Sequence, residues 1–135
     1  MHALIPLTDQ EEAIKELLDA RGIDYRVHEV FPYKGRSIVA DYFLPERNLV
    51  IECWMSGSRR GVALGWMERN GIYVDYKFKR LKETYHGIGC GALVEATQVD
   101  LPSLREWVGA VMPHADWVAF TMEEFELRIG DSRRA

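Results

Sequence analysis

The stretch Ser37-Ile-Val-Ala-Asp-Tyr-Phe-Leu-Pro-Glu-Arg-Asn-Leu-Val-Ile-Glu-Cys-Trp54 decides how this chain folds. Two apolar, β-prone runs flank the turn former Pro45-Glu46-Arg47-Asn48, which reads as a β-hairpin. With the turn centred between Glu46 and Arg47, Leu44 faces Leu49, Phe43 faces Val50 and Asp41 faces Glu52. Strand alternation puts Val39, Asp41 and Phe43 on one face, and Val50, Glu52 and Trp54 on the matching face. Both carboxylates are then expected to point into apolar surroundings, where an isolated charge is costly. Like charges directly opposed across a ladder are destabilising, and a divalent cation held by oxygen ligands offsets such repulsion. The blander reading is a hairpin near the sheet edge, with both carboxylates reaching water.

Outward from the hairpin, Thr8-Asp-Gln-Glu11 matches a capping box, and Ala13, Ile14, Leu17 and Leu18 form a helical stripe ending at Gly22. A strand follows at about Tyr25–Val30, with Phe31–Arg36 as a loop. Ser56-Gly-Ser58 breaks the sheet and caps a helix beginning near Arg59. Residues 72–85 fit two periods: Ile72, Val74, Tyr76 and Phe78 alternate, while Val74, Phe78, Leu81 and Tyr85 are helically spaced. The helix formers Lys79-Arg-Leu-Lys-Glu83 favour helix. A buried strand is expected at Gly89–Ala96, a helix from Pro102 to about Met112, and a short strand at Asp116–Phe120. A second capping box, Thr121-Met-Glu-Glu124, starts a last helix that ends at Gly130. The expectation is one α/β domain over residues 1–130, a mixed β-sheet flanked by helices, with a frayed tail at 131–135.

Composition narrows the function classes. The chain has 135 residues, 47% hydrophobic and 28% charged, as an ordinary globular domain has. Its two cysteines, Cys53 and Cys90, support neither a zinc ribbon nor a disulfide framework. No apolar run approaches the roughly 18 residues that a membrane helix needs, and Met1–Leu7 lacks a signal-peptide pattern, so no membrane partner and a cytoplasmic location are expected. Net charge is −4, yet residues 24–90 hold 11 Lys/Arg against 8 Asp/Glu. A modestly basic centre in an acidic frame suits a nucleic-acid site confined to one face. Lys34 and Arg36 before the first hairpin strand, and Arg59 and Arg60 after the second, are candidates for phosphate contacts near the carboxylates. Tyr33, Trp54 and Trp66 are candidates for stacking on unpaired bases, although Trp66 equally suits a core helix face. Trp107 and Trp117 are assigned to core packing. Cys53, between Glu52 and Trp54, is expected on the opposite sheet face, away from the carboxylates. His28 falls on the predicted strand and could line the site, although a satisfied surface or core histidine is the better reading.

The run from Asp41 to Glu52 resembles the core hairpin of the PD-(D/E)XK nuclease superfamily, and is closest to its very-short-patch-repair-like branch. Helix, hairpin and following helix also resemble archaeal Holliday junction resolvases, over roughly residues 9–96. The resemblance implies a restriction-endonuclease-like core and hydrolysis of DNA phosphodiesters. It implies Mg²⁺, with Mn²⁺ as substitute, on Asp41 and Glu52, and by analogy a homodimer. Many members add a glutamate from the first helix, which points to Glu11 with Glu12 in reserve: Glu11 lies roughly 70° from the stripe centre, against about 170° for Glu12. Glu11 also suits a purely capping role. The family's second acidic residue is followed, two positions on, by a lysine, and here that position is Trp54. An indole carries one N–H and no charge. Lys77 is the preferred substitute cation, ahead of Lys79, Arg59 and Arg60. The same replacement favours an alternative, a catalytically inactive module of that fold binding nucleic acid or a protein partner. A third reading is an interaction protein governed by its acidic frame.

Overall fold

A computed structural model of the chain describes residues 7–55, 62–95 and 101–130, with the side chains of 62–68 and 101–104 left aside. Helix α1 (Asp9–Ala20) starts at Thr8, whose hydroxyl accepts the Glu11 N–H while the Glu11 carboxylate accepts the Thr8 N–H. This closed capping box satisfies two of the helix's orphan donors. Strands β1 (Arg26–Tyr33) and β2 (Arg36–Leu44) follow, then β3 (Leu49–Met55) after a 3₁₀ turn at Pro45–Arg47. Asn48 closes that turn at φ 49°, in the left-handed region that asparagine tolerates. Helix α2 (Val62–Thr84), strand β4 (Gly89–Glu95), helix α3 (Leu101–Val111), strand β5 (Trp117–Ala119) and helix α4 (Met122–Ile129) complete the chain.

The five strands form one mixed sheet in the order β1-β2-β3-β4-β5. β1, β2 and β3 pair antiparallel; β3-β4 and β4-β5 pair parallel, each through a helical crossover. One face buries Val74, Phe78 and Leu81 of α2 and Met112 beyond α3 against Val50, Cys90, Ala92 and Val94. The other buries Ile14 and Leu18 of α1 and Phe125 and Ile129 of α4 against Tyr42, Ile51 and Leu93. Helices on both faces explain why β4 is buried along nearly its whole length and reads as a continuous apolar run. Two glycines allow close approach. A Cβ on Gly91 would lie 2.2 Å from the Trp117 ring, and one on Gly71 would lie 2.6 Å from the Trp107 ring. Trp107 and Trp117 are thus packing residues, as their surroundings in the sequence suggest.

The α/β class, the mixed sheet and the helical reading of 72–85 agree with the sequence. One expectation is corrected: Phe31–Arg36 is not a loop. β1 runs to Tyr33, and only Lys34-Gly35 turns, at φ 45° and 76°. Two successive positive φ values make a turn whose twist matches antiparallel strands, so β1 and β2 form a long hairpin of their own. Residues 131–135 and the expected helix start at 56–61 lie outside the described residues. Among the described residues no helix is long and apolar enough to cross a membrane.

Candidate metal centre

The register of the β2-β3 hairpin follows the turn position, with Leu44 opposite Leu49, Phe43 opposite Val50 and Tyr42 opposite Ile51. There the ladder stops. The next pair would be Asp41 and Glu52, and at Asp41 the strand changes faces. Ile38 and Ala40 join the α2-side core, yet Tyr42 and Leu44 join the α1-side core. The same switch occurs in β1, where Val27 packs on the α1 side and Phe31 on the α2 side. Between them His28 sits at φ 51°, at the level of Asp41, where the β1-β2 register skips from Val27–Tyr42 to Glu29–Ala40. The expected grouping of Val39, Asp41 and Phe43 on one face is therefore wrong: a kink shared by two strands breaks the period-two rule.

The missing ladder bonds are replaced by side chains. The Asp41 N–H donates to Glu52 Oε2 at 2.7 Å, and the Cys53 N–H donates to Asp41 Oδ2 at 2.9 Å. Lys77 Nζ, from α2, donates to the Val39 carbonyl at 2.8 Å and to Glu52 Oε1 at 2.6 Å. Buried backbone groups need partners, and these three side chains supply them where β2 parts from β3. The facing carboxylates are tolerated for this reason, and they turn to opposite sides.

On the α2 side, Glu52 is 3% exposed and held by Lys77. Burial and the neighbouring Asp41 push its carboxyl up to about 7, against the pull of Lys77. On the α1 side, Glu11, Asp41 and Cys53 each offer a ligand atom, all within 4.8 Å of one another. This group could hold a metal ion. Burial raises the Asp41 carboxyl, while the Cys53 N–H and Lys77 lower it. Burial also holds the Cys53 thiol far above its ordinary range, so it stays protonated unless a cation displaces the proton. The cluster opens into a cavity of about 510 Å³ lined by Thr8, Gln10, Glu11, Asp41, Cys53 and Trp54, among others.

Glu11 fills the capping role, and its other oxygen is turned toward the cluster. One carboxylate oxygen caps the helix through the Thr8 N–H at 3.0 Å, and the other lies 3.0 Å from His28 Nε2. Glu12 is exposed, as its angle on the helix requires. Lys77 reaches the hairpin; Trp54 does not replace a lysine, since its indole packs against the α2-side core and its N–H has no acceptor among the described residues. Two placements differ from expectation. Cys53 does face away from Glu52, but the kink brings Asp41 and Glu11 to it. Arg36 and Lys34 do not border the carboxylates, because β2 begins at Arg36 and an extended strand rises about 3.3 Å per residue. Arg59 and Arg60 lie outside the described residues, as does the side chain of Trp66.

Cys53 is the site neighbour that the sequence reading turned away from the carboxylates, and His28, read there as better suited to an ordinary histidine, contacts Glu11. Recognising Lys34-Gly35 as a two-residue turn would have set His28 opposite Asp41. Comparison with known protein families, characterised proteins and solved structures gives no match for this chain.

Proposed function

We propose that this protein is a metal-dependent DNA endonuclease with a restriction-endonuclease-like core, hydrolysing phosphodiester bonds. The observation that carries the reading is the convergence of Glu11 and Asp41, from separate elements, beside the Glu52–Lys77 pair. The element order helix, three antiparallel strands, helix, parallel strand supports it, since the resembling hairpin then sits mid-sheet beside the first helix. Two carboxylates suit Mg²⁺, which takes one or two and leaves other positions to water and phosphate. The protonated Cys53 thiol is not itself a ligand, so the carboxylates would hold the ion with the thiol beside it. Such an ion, when bound, polarises a phosphate and lowers the pKa of a bound water. Asp41 and Glu11 would hold it, with Glu52 fixing the Asp41 backbone. His28 would keep Glu11 oriented. An ammonium has three donors, and Lys77 spends two on Val39 and Glu52, leaving one for a phosphate oxygen in the cleft that it lines with Asp41, Glu52 and Tyr73. A homodimer acting on two strands belongs to the same proposal.

The second reading, a module of this fold that binds without cleaving, is favoured by Trp54 in the lysine position and by Glu52 being fully engaged. Asp41→Asn separates them. With Mg²⁺ or Mn²⁺ and branched, mismatched and single-stranded DNA, cleavage is expected to fall by at least about 100-fold, with unchanged circular dichroism. Equal cleavage by the variant would sink the enzymatic reading, and calorimetric ion binding without any cleavage would favour the second.

A further inference from the structure

Helix α2 carries two stripes. Val74, Phe78 and Leu81 face the core. Tyr73, Tyr76, Lys77 and Arg80, at i, i+3, i+4 and i+7, share a different face. Tyr73 and Tyr76 keep 61% and 48% of their surface exposed, unusual for large rings beside a core helix. They stand across a cavity of about 260 Å³ from Tyr33 and Arg36 of the β1-β2 hairpin, with Ile38 and Val39 between. Cations lie over the rings: Lys77 is 5.1 Å from the Tyr73 centroid, and Arg80 is 4.8 Å from Tyr76 and 5.7 Å from Tyr33. Lys34 is 5.4 Å from Tyr33. Arg80 pairs with Glu83 and Lys77 with Glu52, but among the described residues no carboxylate pairs with Arg36 or Lys34.

A solvated helix face places long charged side chains outward, not tyrosines over an apolar floor. Aromatic rings interleaved with surplus cations match one ligand chemistry: flat bases beside phosphates. A duplex hides its base faces in its own stack, so the bases must be unpaired. We infer that this groove holds an unpaired polynucleotide strand, with bases on Tyr73 and Tyr76 and phosphates on Arg36, Lys34 and Arg80. Lys77 lines the groove and touches Glu52, so the strand is led toward the carboxylates. The inference depends on the nuclease reading for the strand's fate alone, and deepens it by naming the substrate class.

The test is fluorescence anisotropy in EDTA with labelled oligothymidylate, oligouridylate and a duplex of equal length. A single strand is expected to bind tighter than the duplex, and the deoxy and ribo probes tell a DNA from an RNA source. Tyr73→Ala and Tyr76→Ala should each weaken it by roughly 5- to 100-fold, with Tyr→Phe retaining affinity. Arg36→Ala should lower the salt slope by about 1. Asp41→Asn should bind at least as tightly as the unaltered chain, so lost cleavage with retained binding bears on the nuclease reading alone. Tighter duplex binding, or single-strand affinity indifferent to both Tyr→Ala changes, overturns the inference.

Discussion

At one point in the sheet two carboxylates face opposite ways, and their surroundings differ in kind. Glu52, toward α2, meets a lysine ammonium and a backbone N–H, one on each of its two oxygens. Asp41, toward α1, meets Glu11 and a thiol, and among the described residues the Cys53 backbone N–H is its strong donor. The α2 side is closed by the protein's own cation; the α1 side gathers two carboxylates and a thiol, with the His28 ring beside Glu11, a group that could hold an external cation. A buried charge is stable where its partner is built in, and is a ligand site where it is not.

The sharpest way to break this contrast is to remove the built-in cation. Lys77→Met leaves Glu52 buried and uncompensated, and at pH 8 should cost about 3–5 kcal/mol in urea unfolding. Adding Glu52→Gln should recover much of that loss. A Lys77→Met variant as stable as the parent would show that the two sides are alike after all.

A smaller effect comes from pH. Glu52, facing Asp41 from β2 and Lys77 from α2, has its carboxyl raised from an ordinary 4.5 to about 7. Between those values the folded protein keeps a proton that the unfolded chain releases. Stability therefore falls as pH rises through this window, by up to about 3 kcal/mol. Glu52→Gln should flatten most of the slope, and Asp41, raised in the same direction, should leave a remainder. No difference between the two pH profiles would mean that Lys77 holds Glu52 ionised throughout.

The mildest test concerns how Glu11 is held. Thr8→Ala removes one half of the capping box and should lower stability by about 1 kcal/mol in thermal or urea melts. It should also loosen Glu11 at the α1 side and weaken Mn²⁺ binding, while leaving the Glu52 pH slope intact. A change in that slope would show that Glu11 reaches Glu52 through Asp41, which contacts both.

Much of this was legible in the chain itself. Thr8 and Glu11 announce the first helix; Pro45–Asn48 places the turn, and the turn places the register, because hairpin pairing is local. The stripe Val74, Phe78, Leu81 and Tyr85 indicates helix where alternation indicated strand. The 100° helical step also separates buried Glu11 from exposed Glu12. What escaped was the face of each strand residue near Asp41. Alternation holds only while a ladder is unbroken, and the break depends on a positive φ at His28, thirteen residues away in another strand. The aromatic–cation stripe on α2 escaped too, since Tyr73 and Tyr76 become a groove wall only when the β1-β2 hairpin stands opposite.

The sequence by itself determined the local elements, the hairpin register and the candidate carboxylates, because capping, turns and periodicity act over a few residues. Only the tertiary structure decided that Glu52 goes to Lys77 while Asp41 goes to Glu11 and Cys53. That choice rests on which backbone groups were left without ladder partners when two strands kinked together, and on which side chains from distant helices could satisfy them.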